Sequence, residues 1–118
     1  MGGSDLALVY KIMPAADWAA AQQRGVYQGS PVDLADGFIH FSTAGQLRET
    51  AAKHFAGQTD LLLIAFDEAG LGEKLIFELS RGGAFFPHLH APLPTALART
   101  VHPLPWRDGA HDFSGLLP

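Results

Sequence analysis

Gly37-Phe38-Ile39-His40-Phe41-Ser42-Thr43 is the stretch on which the fold turns. Phe38 to Phe41 reads as a short strand, and it runs without a linker into a helix that opens at Ser42-Thr43. Thr43 with Gln46 matches a capping box, in which the hydroxyl accepts from the third backbone amide and the glutamine reaches back. Leu47, Ala51 and Phe55, with His54 beside them, mark one face of that helix, and Gly57 ends it. His40 alternates with Ile39 and Phe41, so its imidazole leaves the opposite face of the strand. A histidine beside a helix start implies a cleft, because the free amides and positive end of the helix seat a phosphate or carboxylate. Ser42 and Thr43 either add hydroxyl donors there or serve only as caps.

Upstream, Leu6 to Ile12 is almost continuously apolar, the pattern of a central strand. Pro14 closes it and suits the first turn of a helix over Ala15 to Arg24, with Trp18 and Ala21 on one stripe and Gly25 as the stop. Val26 to Gly37 holds Gly29, Pro31 and Gly37 and reads as a loop. Downstream, Leu61 to Asp67 is a third strand, Glu68 to Glu73 a turn, and Lys74 to Leu79 a fourth strand returning antiparallel. Ser80 to Pro94 reads as a long loop, and Arg99 to Pro105 as a fifth strand, kept at an edge by its prolines. The order predicts an α+β domain: a split antiparallel or mixed sheet of about five strands with two helices beside it. The expected organisation is one domain over residues 1–118, with a core from 7 to 105 and a tail from 106 to 118 on the surface.

Composition narrows the function classes. The chain has 118 residues, 47% hydrophobic and 17% charged, as expected for one globular core. Eight Lys and Arg against twelve Asp and Glu give a net charge of −4, with no basic cluster to hold a nucleic-acid backbone. Absence of cysteine excludes disulfides, thiolate metal sites and a cysteine nucleophile. Met1-Gly2-Gly3-Ser4-Asp5 lacks the features of a signal peptide, and no apolar run is long enough to span a bilayer. A cytoplasmic protein without general nucleic-acid or membrane binding, acting on a small-molecule ligand, is the expectation.

Phe86-Pro87-His88-Leu89-His90 is the second informative stretch. If it is extended, His88 and His90 face one way, and His40 would complete a three-histidine metal set. No acidic residue lies close in sequence, so no metal ligands are assigned. Glu78, between Phe77 and Leu79, points either inward or to solvent; the solvent-facing position is the usual one. Trp18 and Trp106 read as core residues, and His102 and His111 as surface ones. Gly70-Leu71-Gly72 lacks the third glycine and the helix of a dinucleotide fingerprint. Ser42 lacks the flanking glycines of a nucleophile elbow.

Val9-Tyr10-Lys11-Ile12, Trp18, Gly25-Val26-Tyr27, Asp36 to Thr43 with Gln46, and Phe86 to His90 with Pro92-Leu93 together resemble the family called domain of unknown function 952. That pattern commonly has tyrosine and glycine where His90 and Ala91 stand here. The family resembles the ADP-ribosyltransferase fold, and the nearest likeness is to RNA 2′-phosphotransferases. The resemblance implies a cleft for NAD or a related ADP-ribose compound and transfer of an ADP-ribosyl or glycosyl group. His40, Ser42 and His88 would be the catalytic candidates. Tyr10, Lys11, Phe41, Thr43, Phe86 and His90 would contact the cofactor. Glu78 alone could serve as the inward glutamate on which many such transferases rely. Two alternatives stand beside this reading: a binding module without turnover, and a metal hydrolase built on His40, His88 and His90.

Overall fold

The structure is a computed structural model that describes residues 7–118, the side chain of Arg81 excepted. The expectations for Met1 to Leu6 lie outside the described residues. Strand β1 (Leu8–Pro14) leads into helix α1 (Ala15–Arg24), which ends at Gly25 in the left-handed conformation. Trp18 and Ala21 of α1 are buried, as their stripe predicts.

Val26 to Gly37 is not the expected loop. It contains strand β2 (Val26–Tyr27) and helix α2 (Pro31–Asp36). Ser30 caps α2 in a reciprocal box with Asp33, and Pro31 takes the first helical turn, where its missing N–H is no loss. Gly37 then stops the helix at φ 85° and hands the chain to β3 (Ile39–His40). The predicted Thr43–Gln46 capping box is present and opens a short 3₁₀ turn that continues as α3 (Leu47–His54).

Strand β4 (Leu61–Asp67) matches its expectation residue for residue. Helix α4 (Glu68–Leu71) replaces the predicted turn, so among the described residues four α-helices flank the sheets where two were expected. Strand β5 (Leu75–Leu79) does not fold back on β4; its antiparallel partner is β6 (Phe85–Leu89), inside the segment read as a long loop. Pro87 obscured that strand in the sequence. Its carbonyl accepts from the Phe41 amide at 2.9 Å, but proline has no N–H for the return bond, and β3 ends at this point.

The remaining strands are β7 (Leu93–Pro94), β8 (Ala98–Leu104), β9 (Trp106–Arg107) and β10 (Ala110–His111). Two three-stranded antiparallel sheets result, β1-β4-β8 and β3-β6-β5, with β2-β7 and β9-β10 as two-residue pairings. The architecture is therefore α+β, and β8, with Pro103, is the edge strand its prolines predict. The sheets meet where Tyr10 and Ser42 exchange backbone hydrogen bonds of 2.8 and 2.9 Å.

The first sheet is covered on both faces, which explains its unbroken apolar sequence. On one side Val9, Met13, Ile64 and Phe66 pack with Trp18, Ile39, Phe41 and Leu89. On the other, Tyr10, Ile12, Leu63 and Ala65 pack with Leu47, Ala51 and Phe113. Phe113 is only 5% exposed, so the segment after Pro105 is more than a surface tail. Trp106 is half-buried and stands edge-on to His111. Among the described residues, no helix is long and apolar enough to cross a membrane.

Candidate functional site

The second sheet has one face toward the core and one away from it. Ile39 and Leu89 face inward, directly paired, whereas His40 is paired with His88 and Glu78 with Phe86. Directly opposed residues share a face. His40, His88, Phe86 and Glu78 therefore project together on the outer side.

Beneath this face lies a charged node centred on Asp33, only 2% exposed. Lys11 leaves β1 on the same face as Val9 and Met13 and enters the space between the sheets, where burial of an ammonium requires partners. Its Nζ donates to Asp33 Oδ2 at 3.0 Å, to Oδ1 at 3.3 Å and to the His40 carbonyl at 2.7 Å. Asp33 also accepts from the Ser30 amide at 2.9 Å, the His40 amide at 3.1 Å and His40 Nδ1 at 2.6 Å. Burial alone would raise the Asp33 pKa; the His40 hydrogen bond, the Lys11 charge and the Ser30 amide overcome it and hold the carboxyl well below its usual range. Burial lowers the Lys11 pKa, and Asp33 opposes that shift.

His40 is held at both ends, since its Nε2 lies 2.9 Å from Asp36 Oδ2. A ring with a carboxylate at each nitrogen satisfies both only when both nitrogens carry hydrogen. His88 and His90 are gathered differently. Nδ1 of His88 and Nε2 of His90 each lie 2.8 Å from the same oxygen, Glu78 Oε1. The hydrogen bonds of His90 and then His88 lower the Glu78 pKa. Glu78 thus faces the histidines, contrary to the usual solvent-facing position.

Phe38 occupies the middle of the group. Its ring stacks on His88 with centroids 4.1 Å apart, 4.7 Å from His40 and 5.2 Å from His90. The same ring lines an open groove of about 260 Å³, together with Gln28, Asp33, Leu34, His90 and Pro92.

Of the residues singled out from the sequence, Lys11, His40, His88 and His90 come together, with Phe86 on the same sheet face. Ser42, Tyr10, Phe41 and Thr43 do not join them. Ser42 is buried and its Oγ is 3.1 Å from Thr50 Oγ1; Tyr10 and Phe41 are core residues on opposite sides of the first sheet. Thr43 is committed to its cap, with its amide bonded to Gln46 Oε1 at 3.0 Å. The expected anion seat at this helix mouth is therefore filled by the protein's own glutamine. The three-histidine metal set does not assemble either. Phe38 stands among the rings, two of the nitrogens face Glu78, and among the described residues no three ligating side chains are grouped to hold a metal ion. His54 is exposed, His102 half-buried, and His111 half-buried with Nε2 3.0 Å from the Gln58 carbonyl.

Sequence reasoning missed Asp33, Asp36 and Phe38. A signal for Asp33 was present in Ser30-Pro31-Val32-Asp33, a cap, a proline at the first helical position and an acidic third residue. No comparable signal marks Phe38, whose role depends on β6 lying beside β3.

Fold and site together define an α+β protein with an imidazole–carboxylate face on the outer side of its smaller sheet. The chain belongs to the family described as protein of unknown function DUF952, which matches residues 12–101. It is similar to the crystal structure of protein CC0527 from Caulobacter crescentus, 48% identical over 91% of this chain and 95% of that one, with a TM-score of 0.86. The solution NMR structure of CC0527 is likewise 48% identical over 93% of this chain and 96% of that one, with a TM-score of 0.83. No curated protein matches the chain.

Proposed function

We propose that the face formed by Phe38, His40, His88 and His90 binds NAD or a related ADP-ribose compound, in a domain of ADP-ribosyltransferase-like architecture. The observation that carries this reading is the convergence of four flat rings beside the groove lined by Phe38 and His90. Such rings take a nicotinamide or adenine base by offset stacking. Two antiparallel sheets joined at the Tyr10–Ser42 bridge support the architectural part.

The groove, about 260 Å³, falls below the common range of roughly 300–1,000 Å³ for ligand pockets. It takes one end of the ligand and leaves the rest across the open sheet face. With the mouth of α3 self-capped, the phosphates fall to His90 and solvent rather than to helix amides. The carboxylates of Asp36 and Glu78 add negative charge at the rim, which complements the cationic ribose centre formed when nicotinamide departs.

A second reading, recognition without turnover, draws on one feature. Asp33, Asp36 and Glu78 are each already bonded to an imidazole of the face, which suits a fixed binding surface as well as a reactive one. Titration of isotope-labelled protein with NAD and ADP-ribose tests the ligand. Shifts centred on Phe38, His40 and His90 are expected, with affinity about tenfold weaker in His90→Ala. Unchanged spectra at millimolar concentrations of both compounds would remove the reading. Release of nicotinamide from NAD then separates catalysis from simple binding.

A further inference from the structure

His88 is only 4% exposed, and its Nε2 has no hydrogen-bond partner among the described residues. A buried polar atom left in this way is costly, so it marks a position where a partner is gained. Its other nitrogen fixes the tautomer that the neutral ring takes. Glu78 is acceptor-only when ionised, so the 2.8 Å contact at Nδ1 requires the hydrogen there. A neutral ring with hydrogen at Nδ1 leaves Nε2 as a bare lone pair.

We infer that His88 is the recognition acceptor of the site: Glu78 fixes its Nδ1–H tautomer, and Nε2 accepts, in the plane of the imidazole, from an N–H on the edge of a flat heteroaromatic ring that enters when Phe38 moves aside. This rests on the proposed ligand face and names the part of the ligand that enters deepest. Phe38 is half-buried, lies 23° from parallel with the imidazole and follows Gly37, whose φ is 85°. An N–H on the edge of the incoming ring meets the Nε2 lone pair in the imidazole plane, a hydrogen bond that phenylalanine cannot make. The His40 ring lies 5.2 Å from that of His88 at 70° and 4.7 Å from that of Phe38. An exocyclic amine on adenine and the carboxamide of nicotinamide present the same donor chemistry. Glu78 acts through His88 and is a positioning residue.

Two measurements on the full chain test this. Long-range proton–nitrogen correlation of the free protein reads the tautomer directly. His88 should show a protonated Nδ1 and a bare Nε2; hydrogen at Nε2 would overturn the inference without touching the ligand face. Glu78→Gln should shift the tautomer balance, a change that loss of packing alone does not produce. Titration with NAD, ADP-ribose, nicotinamide and adenosine then reads Nε2 itself. The expected result is an upfield nitrogen shift with the ring that binds, and affinity about tenfold weaker in His88→Leu. Response to nicotinamide alone, or to adenosine alone, identifies which base enters. Binding of NAD or ADP-ribose with Nε2 unmoved refutes the acceptor role and leaves the face intact. Failure of all four compounds to bind refutes both readings.

Discussion

At Asp33 four protein groups converge on one carboxylate: Lys11 Nζ, the Ser30 amide, and both the amide and ring of His40. Each partner is needed because the group is buried, and removing one leaves another without compensation. Asp33→Asn keeps the shape but leaves the Lys11 ammonium buried without a countercharge. We expect a loss of about 3–5 kcal/mol in urea unfolding, the usual consequence of breaking a buried ion pair from one side. Lys11→Met should be comparably harmful, and the double variant should lose less than the two singles together. Near-zero effects of both singles would mean that the pair is not formed in solution. The same logic applies to His40. His40→Ala removes one of the four donors, the ring, so it lowers stability as well as stripping a ring from the ligand face.

At the scale of elements, α2 positions the site, and its geometry depends on Gly29. This residue has φ 123°, and a Cβ there would lie 2.8 Å from Asp33 Cβ. Gly37, at the other end, has φ 85°, but a Cβ on it would meet nothing within 4 Å. Gly37→Ala should therefore cost about 1–2 kcal/mol from backbone strain alone. Gly29→Ala should cost more and disturb the amide resonances of His40 and Lys11, because Asp33 must move. Equal stability losses, with unchanged His40 and Lys11 resonances, would show that the Gly29 contact relaxes without effect. This helix also marks how far the sequence could be read. Strands β1 and β4 were legible from their apolar runs, α1 from Trp18, Ala21 and Gly25, and the start of α3 from Thr43 and Gln46. Helix α2 is six residues long, too short for a hydrophobic period, and only its cap betrays it. Strand β6 was hidden by Pro87, a residue that argues against a central strand, although this one lies between β3 and β5. The histidines of the site could be named from their pattern. Glu78 could be named as a possible inward carboxylate but not as a partner of His88, because it is ten residues away and meets it only through pairing of β5 with β6.

For the whole molecule, the buried groups bound the pH range of stability from both sides. The Asp33 pKa is lower in the fold than its ordinary 3.8, so the folded state holds fewer protons than the unfolded chain in acid. Its contribution is fully present above the unfolded value and is lost as pH falls through the folded one. Glu78 and Asp112 shift in the same direction, Glu78 through His90 and His88, and Asp112 through Ser114. On the alkaline side, burial and then the nearby charges of Asp33 and Asp17 raise the Tyr27 pKa above its ordinary 10.0. The sign reverses there: the folded state retains a proton that the unfolded chain releases, and stability declines as pH rises beyond 10.0. Thermal unfolding followed by circular dichroism across pH should thus give a plateau with a fall on each side. Asp33→Asn should lower the plateau, flatten the acid limb and make the alkaline limb shallower, because burial and Asp17 then hold up the Tyr27 pKa without the charge of Asp33. An acid limb equally steep in that variant would assign the loss to the exposed carboxylates instead, and the node beneath His40 would no longer explain the acid sensitivity of the fold.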